Sequence, residues 1–253
     1  MTDTTATTRP LGVGLTPLET RREVVLHVAT RAEELGYDSF HLAEGWGLDA
    51  PVLLAEIATR TERIRLGTGV VNIWGRSPAS IAMLAATLDQ VSGGRFTLGL
   101  GAGSPRLAEG LHGVGLLDEG AARGRTRPEP ARVCPCLPAA VSSDPVVSRA
   151  VAAWWVAFYL TSMGPLYRDT LRRLGFADAV DAVLAANPTG RTAEVPPAAE
   201  VLLDELTVRG DAAGARATLD RWYGAGAEHP VIALPPHREL AELDEVLEAL
   251  RPG

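Results

Sequence analysis

A positively charged side chain precedes a predicted helix start within the stretch from Arg63 to Ser104. Arg76 stands next to Ser77 and Pro78, and serine followed by proline is typical of a helix N-cap and first helical residue. Because the N-terminus of a helix attracts negative charge, this helix start could bind a phosphate or an anionic substrate group beside Arg76. Helix capping alone also explains Ser77 and Pro78, so both interpretations stay open.

Three glycines alternate with other residues after the predicted strand that follows this helix. Gly99, Gly101 and Gly103 would lie on one face of an extended chain, because successive strand residues point to opposite faces. Glycines in that arrangement let another backbone or a flat ring come close. Crowded barrel interiors also select small residues, so the glycines alone do not separate ligand binding from packing.

The elements that must position these residues follow the order strand, loop, helix, strand. Residues 64–71 are apolar and β-branched, residues 77–91 have helical spacing, and residues 95–100 alternate before the glycines. This order is one turn of a parallel β/α architecture. Ligands in such folds bind beyond the carboxyl ends of the strands, which is where the loop with Arg76 is expected.

The preceding predicted strand, residues 37–42, delivers further polar side chains to the same end of the sheet. His41, Glu44 and Trp46 lie at or just after its carboxyl end. Glu44 is the first carboxylate that could act on a ligand, and a solvated loop glutamate is the alternative. His41 alternates with apolar neighbours, so a hydrogen-bonded core histidine explains it equally well.

The totals predict one globular domain over residues 1–253, because α/β barrels take about 250 residues. The formal net charge of -7, with no run of Lys or Arg, predicts that nucleic acid is not a partner. The start MTDTTATTRP lacks the features of a signal peptide, and the apolar run 150–160 is shorter than the about 20 residues that span a bilayer. A cytoplasmic protein without a membrane partner is therefore expected. Cys134 and Cys136 are expected to be buried free thiols, and no metal site is predicted.

The run IRLGTGVVNIWGRSPASIAMLAATLDQVSGGRFTLGLGAGSP resembles the core signature of the bacterial luciferase-like monooxygenase superfamily, in the branch that uses the deazaflavin coenzyme F-420. The resemblance extends upstream through RAEELGYDSFHLAEGWGLDAPVLLAEIATRTERIRLGTGV. It implies a TIM-type (β/α)8 barrel that binds F-420 or FMN at the carboxyl ends of its strands, usually as a homodimer. The implied activity is an oxidoreductase that transfers hydride, or activates oxygen, on a small organic substrate, with F-420 as the first choice of cofactor.

The same resemblance assigns roles to individual residues. Glu44 matches the polar or acidic residue beside the flavin or deazaflavin ring, and Ser104 matches a position that reaches cofactor or substrate. A non-proline cis peptide that supports the ring matches Gly69–Val70. The family commonly has a histidine directly after the acidic residue, whereas this chain has Gly45, so a hydrogen bond from that place is not expected.

Asn72 and Trp74 complete the predicted site. An amide could bond the polar edge of a flavin-like ring and an indole could wall the pocket, while a loop turn with a packed aromatic is the alternative. The predicted catalytic residues are Glu44, Asn72 and Ser104, and the predicted cofactor-binding residues are His41, Gly69, Val70, Trp74, Arg76, Gly101 and Gly103.

The sequence departs from the family pattern after residue 112. The family continues with two further β/α units, whereas GLLDEGAARGRTRPEP leads directly to ARVCPCLPAAV, which resembles the seventh strand. Six candidate strands lie near residues 11, 38, 64, 95, 133 and 230. An incomplete barrel that lacks about two β/α units is expected, in which the fourth strand pairs with residues 133–141, leaves an exposed edge or is completed by another chain. A shortened non-catalytic flavin-binding or structural dimeric protein is the alternative to an enzyme.

The C-terminal part is predicted to be mainly helical. A helix that starts after residue 143 or 144 carries aromatic residues on more than one face, so it is either buried or part of a dimer interface. Residues 199–209, 211–224 and 239–250 are further predicted helices, and the last strand is expected at 229–234.

Overall fold

A parallel β-sheet with helices packed on it forms the protein in a computed structural model, which describes residues 9–45, 47–102, 133–190 and 192–252. The strands are β1 (Gly12–Leu15), β2 (Ser39–Leu42), β3 (Arg65–Thr68), β4 (Val71–Asn72), β5 (Phe96–Thr97), β6 (Leu100–Gly101), β7 (Cys136–Val141), β8 (Val208–Gly210) and β9 (Val231–Leu234). The helices are α1 (Arg22–Glu34), α2 (Ala50–Ala58), α3 (Pro78–Ser92), α4 (Pro145–Ser162), α5 (Pro165–Arg173), α6 (Ala177–Ala186), α7 (Val201–Leu206), α8 (Ala212–Gly224) and α9 (Leu240–Leu250), with a 3-10 turn at Pro197–Ala199.

Seven strands form the main sheet in the order β5-β3-β2-β1-β9-β7-β8, and β4 pairs with β6 beside it. All of these pairs are parallel, and each of the six predicted strands is present within a few residues of its predicted position. β7, which resembles the seventh strand of the family, lies next to the final strand β9. Among the described residues β5 and β8 form the two edges of the main sheet, so β5 does not pair with β7 there.

The apolar side chains of the sheet pack mainly on one face. Val13, Phe40, Leu66 and Ile232 lie on successive strands, and each is almost fully buried against α1, α2, α3, α8 and α9. A second apolar cluster joins Ala140 to helices α4, α5, α6 and α7. Neighbouring residues of a strand point to opposite faces. The two clusters therefore cover both faces of β7, whereas the described helices cover only one face of the other central strands.

The predicted helix over residues 199–209 is wrong at its end. Helix α7 stops at Leu206, and Val208–Gly210 pairs with residues 139–141 of β7 as the short strand β8. Ser142 N donates to Gly210 O at 3.0 Å, and Val208 is fully buried. The free edge of β7 and burial against α8 outweigh the local helical tendency, which is how tertiary contacts override propensity in short segments.

A serine hydroxyl joins β8, β7 and α4. Ser148 Oγ donates to Ala140 O at 2.7 Å and accepts a hydrogen bond from Gly210 N at 2.8 Å, and the residue is buried. The hydroxyl therefore satisfies one backbone group on each of two neighbouring strands.

Replacing Ser148 by alanine is expected to lower the free energy of unfolding by about 2 kcal/mol, because two backbone groups in a buried place lose their partner. Urea unfolding followed by circular dichroism measures this change. Ser143→Ala is the matched control: that side chain is exposed, so its cost is expected to stay within about 0.5 kcal/mol. Equal stabilities of the two variants would contradict the assignment.

An indole completes the hydrogen bonding where β7 and β9 separate. Pro138 pairs with Ala233, so a continued ladder would point Ala139 O at the nitrogen of Pro235, which carries no hydrogen. Trp155 Nε1 donates to Ala139 O instead, at 3.0 Å, from a side chain that is 1% exposed. The prediction that the aromatic helix α4 is a packed element is confirmed for Trp155.

The two cysteines differ from their predicted state. Cys134 and Cys136 are free, but both are exposed, so the prediction of burial is wrong. Cys134 precedes β7 and Cys136 is its first residue, so neither lies within the part of the strand where apolar neighbours cover both faces.

No single helix among the described residues has both the length and the apolarity to cross a membrane; α4 and α5 reach them only together, bent by 107°.

Candidate functional site

A cis peptide bond joins Gly69 to Val70 between β3 and β4, so its predicted position is confirmed. Gly69 N donates to Leu42 O at 2.9 Å, and Glu44 N donates to Val70 O at 3.1 Å. The segment is thereby tied to the carboxyl end of β2. Gly69 and Val70 are both exposed, with 39% of Val70 accessible to solvent.

Gly99 and Gly101, just before and within β6, lie very close to Thr68 of β3 and to Val70, which precedes β4. A Cβ atom on Gly99 would lie 2.1 Å from Thr68 O, and one on Gly101 would lie 2.2 Å from Val70 Cγ2. Thr68 Oγ1 donates to Gly99 O at 2.9 Å and accepts from Gly99 N at 2.8 Å. Close approach of another backbone is therefore present at Gly99, whereas contact of the glycines with a ring stays a prediction.

Glu44 bonds protein groups on the neighbouring loop. Its Oε2 atom accepts from Arg76 Nη1 at 2.6 Å and from Asn72 N at 3.1 Å. The side chain is only 11% exposed. Glu44 is thus not a solvated loop glutamate.

Arg76 is held between two carboxylates. Besides Glu44, its guanidinium donates to Asp49 Oδ2 at 2.8 Å, and its side chain is 18% exposed. The hydrogen bond with Glu44 raises the pKa of Arg76 above its ordinary value. Arg76 stays cationic, but Glu44 and Asp49 already neutralise its charge. The pairing does not favour the predicted contact of Arg76 with an anionic group. Ser77 Oγ accepts from Ser80 N at 3.1 Å with proline at the first helical position, so the capping interpretation is confirmed.

Asn72 and Trp74 organise the loop between β4 and α3. Asn72 is 4% exposed, and its Oδ1 atom accepts from Trp74 N at 2.9 Å. Trp74 Nε1 donates to Ala102 O at 2.6 Å. The Asn72 Nδ2 atom is buried and has no hydrogen-bond partner in the described structure. These contacts match the loop-turn alternative, and contact of either side chain with a cofactor stays a prediction.

His41 lies on the glycine-lined face of the sheet, below the cis peptide. Its Nε2 atom is 2.9 Å from Ser39 Oγ, which is 3.0 Å from His229 Nε2. Burial, with a smaller contribution from the charge of His229, lowers the pKa of His41 to about 4. A Cβ on Gly67 would lie 2.5 Å from His41 Nδ1, so glycine there makes room for the imidazole. The structure matches the core-histidine alternative, while cofactor contact stays a prediction.

The structure brings most of the predicted residues together. Those gathered at the carboxyl ends of β2, β3, β4 and β6 are Glu44, Gly69, Val70, Asn72, Trp74, Arg76 and Gly101. Ser104, Gly103 and Trp46 lie outside the described residues. Asp49, which is absent from the predicted site, caps α2 with Oδ1 accepting from Val52 N at 3.1 Å, and it also pairs with Arg76.

The exposed surface beside the cis peptide fits a planar, largely apolar group. Val70 exposes 39% of its area next to Gly69 and Gly101, and we define these three residues as the shelf. Apolar side chains and a peptide plane can bind the face of a ring. A separate cavity of about 830 Å³ lies at the ends of β7 and β8, where Arg209 pairs with Asp204.

Comparisons with known proteins show which sequences and folds this chain resembles. Residues 5–119 match the family model described as luciferase-like monooxygenase. A protein of Mycobacterium tuberculosis, provisionally assigned as a coenzyme F-420-dependent oxidoreductase, is 43% identical over 100 residues, which is 40% of this chain and 28% of that protein. The match thus spans less than a third of that relative.

Solved structures extend the likeness to the whole chain. The coenzyme F-420-dependent tetrahydromethanopterin reductase from Methanopyrus kandleri superposes with a TM-score of 0.72 at 15% identity, covering 96% of this chain and 98% of that one. The oxygenating constituent of 3,6-diketocamphane monooxygenase from Pseudomonas putida, in complex with FMN, gives 0.57 at 15% identity, covering 96% and 97%. At these identities the likeness shows the fold, and the predicted α/β fold class is confirmed.

Proposed function

We propose, from the premise that residues 5–119 carry luciferase-like monooxygenase sequence, that this protein is an oxidoreductase that transfers hydride between a bound deazaflavin and a small organic substrate. F-420 is the first choice of cofactor, and FMN, with oxygen activation, is the second. The protein is further proposed to act as a cytoplasmic homodimer.

The observation that carries the proposal is the exposed Gly69–Val70 peptide at the carboxyl ends of parallel strands. This peptide lies within the matched segment, and the Val70 side chain that follows it is exposed. Ligands of such folds bind at this end of the sheet. The relatives whose names specify F-420, and the FMN-bound neighbour, support the choice between these two cofactors.

The chain's own contribution is position and electrostatics, since the cofactor supplies the redox chemistry when bound. Val70 would contact the ring face, and Trp74 would border it. Asn72 and Ser104 keep their predicted catalytic roles near the ring or substrate as part of this proposal, and Glu44 keeps its predicted place beside the ring.

A non-catalytic binding protein is the second candidate, and one observation favours it. Glu44 accepts hydrogen bonds from Arg76 and from the Asn72 backbone N–H, so its strongest contacts are within the protein. A protein that retained the shelf without turnover would show this arrangement.

Purified protein is expected to retain F-420 or FMN with a dissociation constant in the micromolar range, about -8 kcal/mol. Equilibrium dialysis with fluorescence detection measures this. Val70→Glu places a charge on the shelf and is expected to weaken binding at least about tenfold. Val91→Glu is the matched control, because Val91 is also exposed but lies near the end of α3.

The outcomes separate the candidates. Retention of neither cofactor, or equal binding by both variants, would remove the proposed function. Binding in which the cofactor is never reoxidised or reduced by a panel of carbonyl and alcohol substrates, or by oxygen, would favour the non-catalytic protein.

A further inference from the structure

Glu44 holds the segment after the cis peptide through both its backbone and its side chain. We propose that Glu44 is a positioning residue for the shelf, acting through Val70, Asn72 and Arg76, and that it does not act on a reacting atom. This inference rests on the proposed function for its link to the cofactor, while the clamp itself is a property of the protein alone.

Two contacts bracket the strand that carries the shelf. Glu44 N donates to Val70 O at 3.1 Å, and Glu44 Oε2 accepts from Asn72 N at 3.1 Å. One residue therefore binds backbone groups on both sides of Val71. These two contacts hold the two peptide groups that directly follow the Gly69–Val70 peptide.

The ion pair with Arg76 anchors the clamp. Arg76 Nη1 is 2.6 Å from Glu44 Oε2 and Arg76 Nη2 is 2.8 Å from Asp49 Oδ2, so the β2–α2 loop and the β4–α3 loop meet at one guanidinium. The Glu44 and Arg76 side chains are mostly buried, and a buried charge that loses its partner is costly. The same Glu44 oxygen accepts hydrogen bonds from Arg76 and from Asn72 N. A change that displaces this oxygen therefore weakens both the ion pair and the backbone contact.

The clamp extends to the other half of the shelf. Val71 N donates to Gly99 O at 2.8 Å, and Ile73 N donates to Gly101 O at 3.1 Å. Strand β4 therefore carries the position set by Glu44 to Gly101 of β6, the remaining residue of the shelf. A residue that orients a binding surface in this way affects affinity before it affects chemistry.

Glu44→Gln keeps the backbone bond and an acceptor oxygen but removes the charge. Hydrogen exchange of the Asn72 and Ile73 amides in the free protein is expected to accelerate about tenfold in this variant. The dissociation constant for F-420 or FMN is expected to rise about tenfold. Glu56→Gln is the matched control, since Glu56 is also a carboxylate paired with arginine, here Arg22 and Arg60, but it lies on helix α2. It is expected to leave both readouts unchanged.

Arg76→Gln tests the same point if the Glu44 variant folds poorly, because it removes the cation that holds the Glu44 carboxylate in place. It is expected to accelerate exchange of the Asn72 amide, as Glu44→Gln does. Loss of turnover at saturating cofactor with unchanged amide exchange would overturn the proposal, because it would assign Glu44 to the chemistry. If the unchanged protein binds neither cofactor, the proposed function fails, while amide exchange still shows whether the clamp exists; unchanged exchange would overturn it.

Discussion

Acidification from about pH 8 to about pH 4 is expected to lower the free energy of unfolding by about 3 kcal/mol through His41 alone. Burial lowers the pKa of His41 to about 4 in the folded protein, against an ordinary value of 6.5. The unfolded chain therefore binds a proton over a pH range in which the folded protein does not. The stability contributed by the neutral imidazole is complete above pH 6.5 and is lost as the pH falls from there to about 4.

The difference between two proteins isolates this effect, because carboxylates also titrate in acid. His41→Gln retains a side-chain amide near Ser39 but cannot titrate, so its stability should fall by about 3 kcal/mol less over the same interval. Denaturant unfolding at a series of pH values measures both proteins. His27→Gln, at a half-buried histidine paired with Asp244, is expected to keep the acid loss. Parallel pH curves for the unchanged protein and His41→Gln would contradict the prediction.

Gly99→Ala is expected to destabilise the protein by about 3 kcal/mol or prevent folding. The added Cβ would lie 2.1 Å from Thr68 O, a backbone atom that a side-chain rotation cannot move aside. Both hydrogen bonds between Thr68 and Gly99 would have to lengthen to relieve the overlap. The strain lies at the strand pair that carries the shelf.

Gly224→Ala is the matched control, since no atom lies within 4 Å of the added Cβ at the end of α8. Alanine is the better helix former by up to about 1 kcal/mol, so this variant should be neutral or slightly more stable. Thermal and urea unfolding compare the two. A Gly99→Ala protein as stable as Gly224→Ala would show that Gly99 and Thr68 of β3 do not approach as closely as described.

The early β/α units follow from the sequence because local signals and burial agree there. Val24, Val25 and Val28 recur at helical spacing and are buried in α1, and Gly36 follows the helix with a φ of 84°. Ser77 and Pro78 mark the start of α3. Where propensity, periodicity and capping indicate the same element, its place can be predicted from the residues alone.

The remaining parts depend on contacts between distant segments. Strand β8 has three residues, and it forms because the edge of β7 is free beside it. The exposure of Cys134 and Cys136 depends on which elements cover the start of β7. The isomer of the Gly69–Val70 bond was predictable from the family resemblance, whereas periodicity and composition hold no information about it.

The candidate site shows the same division. The positions of Glu44, Asn72 and Arg76 at one end of the sheet follow from strand ends and loop lengths. Their hydrogen bonds with one another do not follow from the sequence, because strand ends and loop lengths do not fix which groups of two neighbouring loops meet. Opposite charges on adjacent loops were the available signal for this pair.

The guanidinium that lies between two carboxylates also affects how a phosphorylated cofactor can approach. Glu44 and Asp49 together outweigh Arg76 by one formal negative charge at the rim formed by the starts of α2 and α3. In the proposed complex, a terminal phosphate such as that of FMN would be repelled from this rim, whereas the uncharged rings would not. The charge would therefore favour a cofactor whose rings lie toward α2 and α3 and whose phosphate lies away from them.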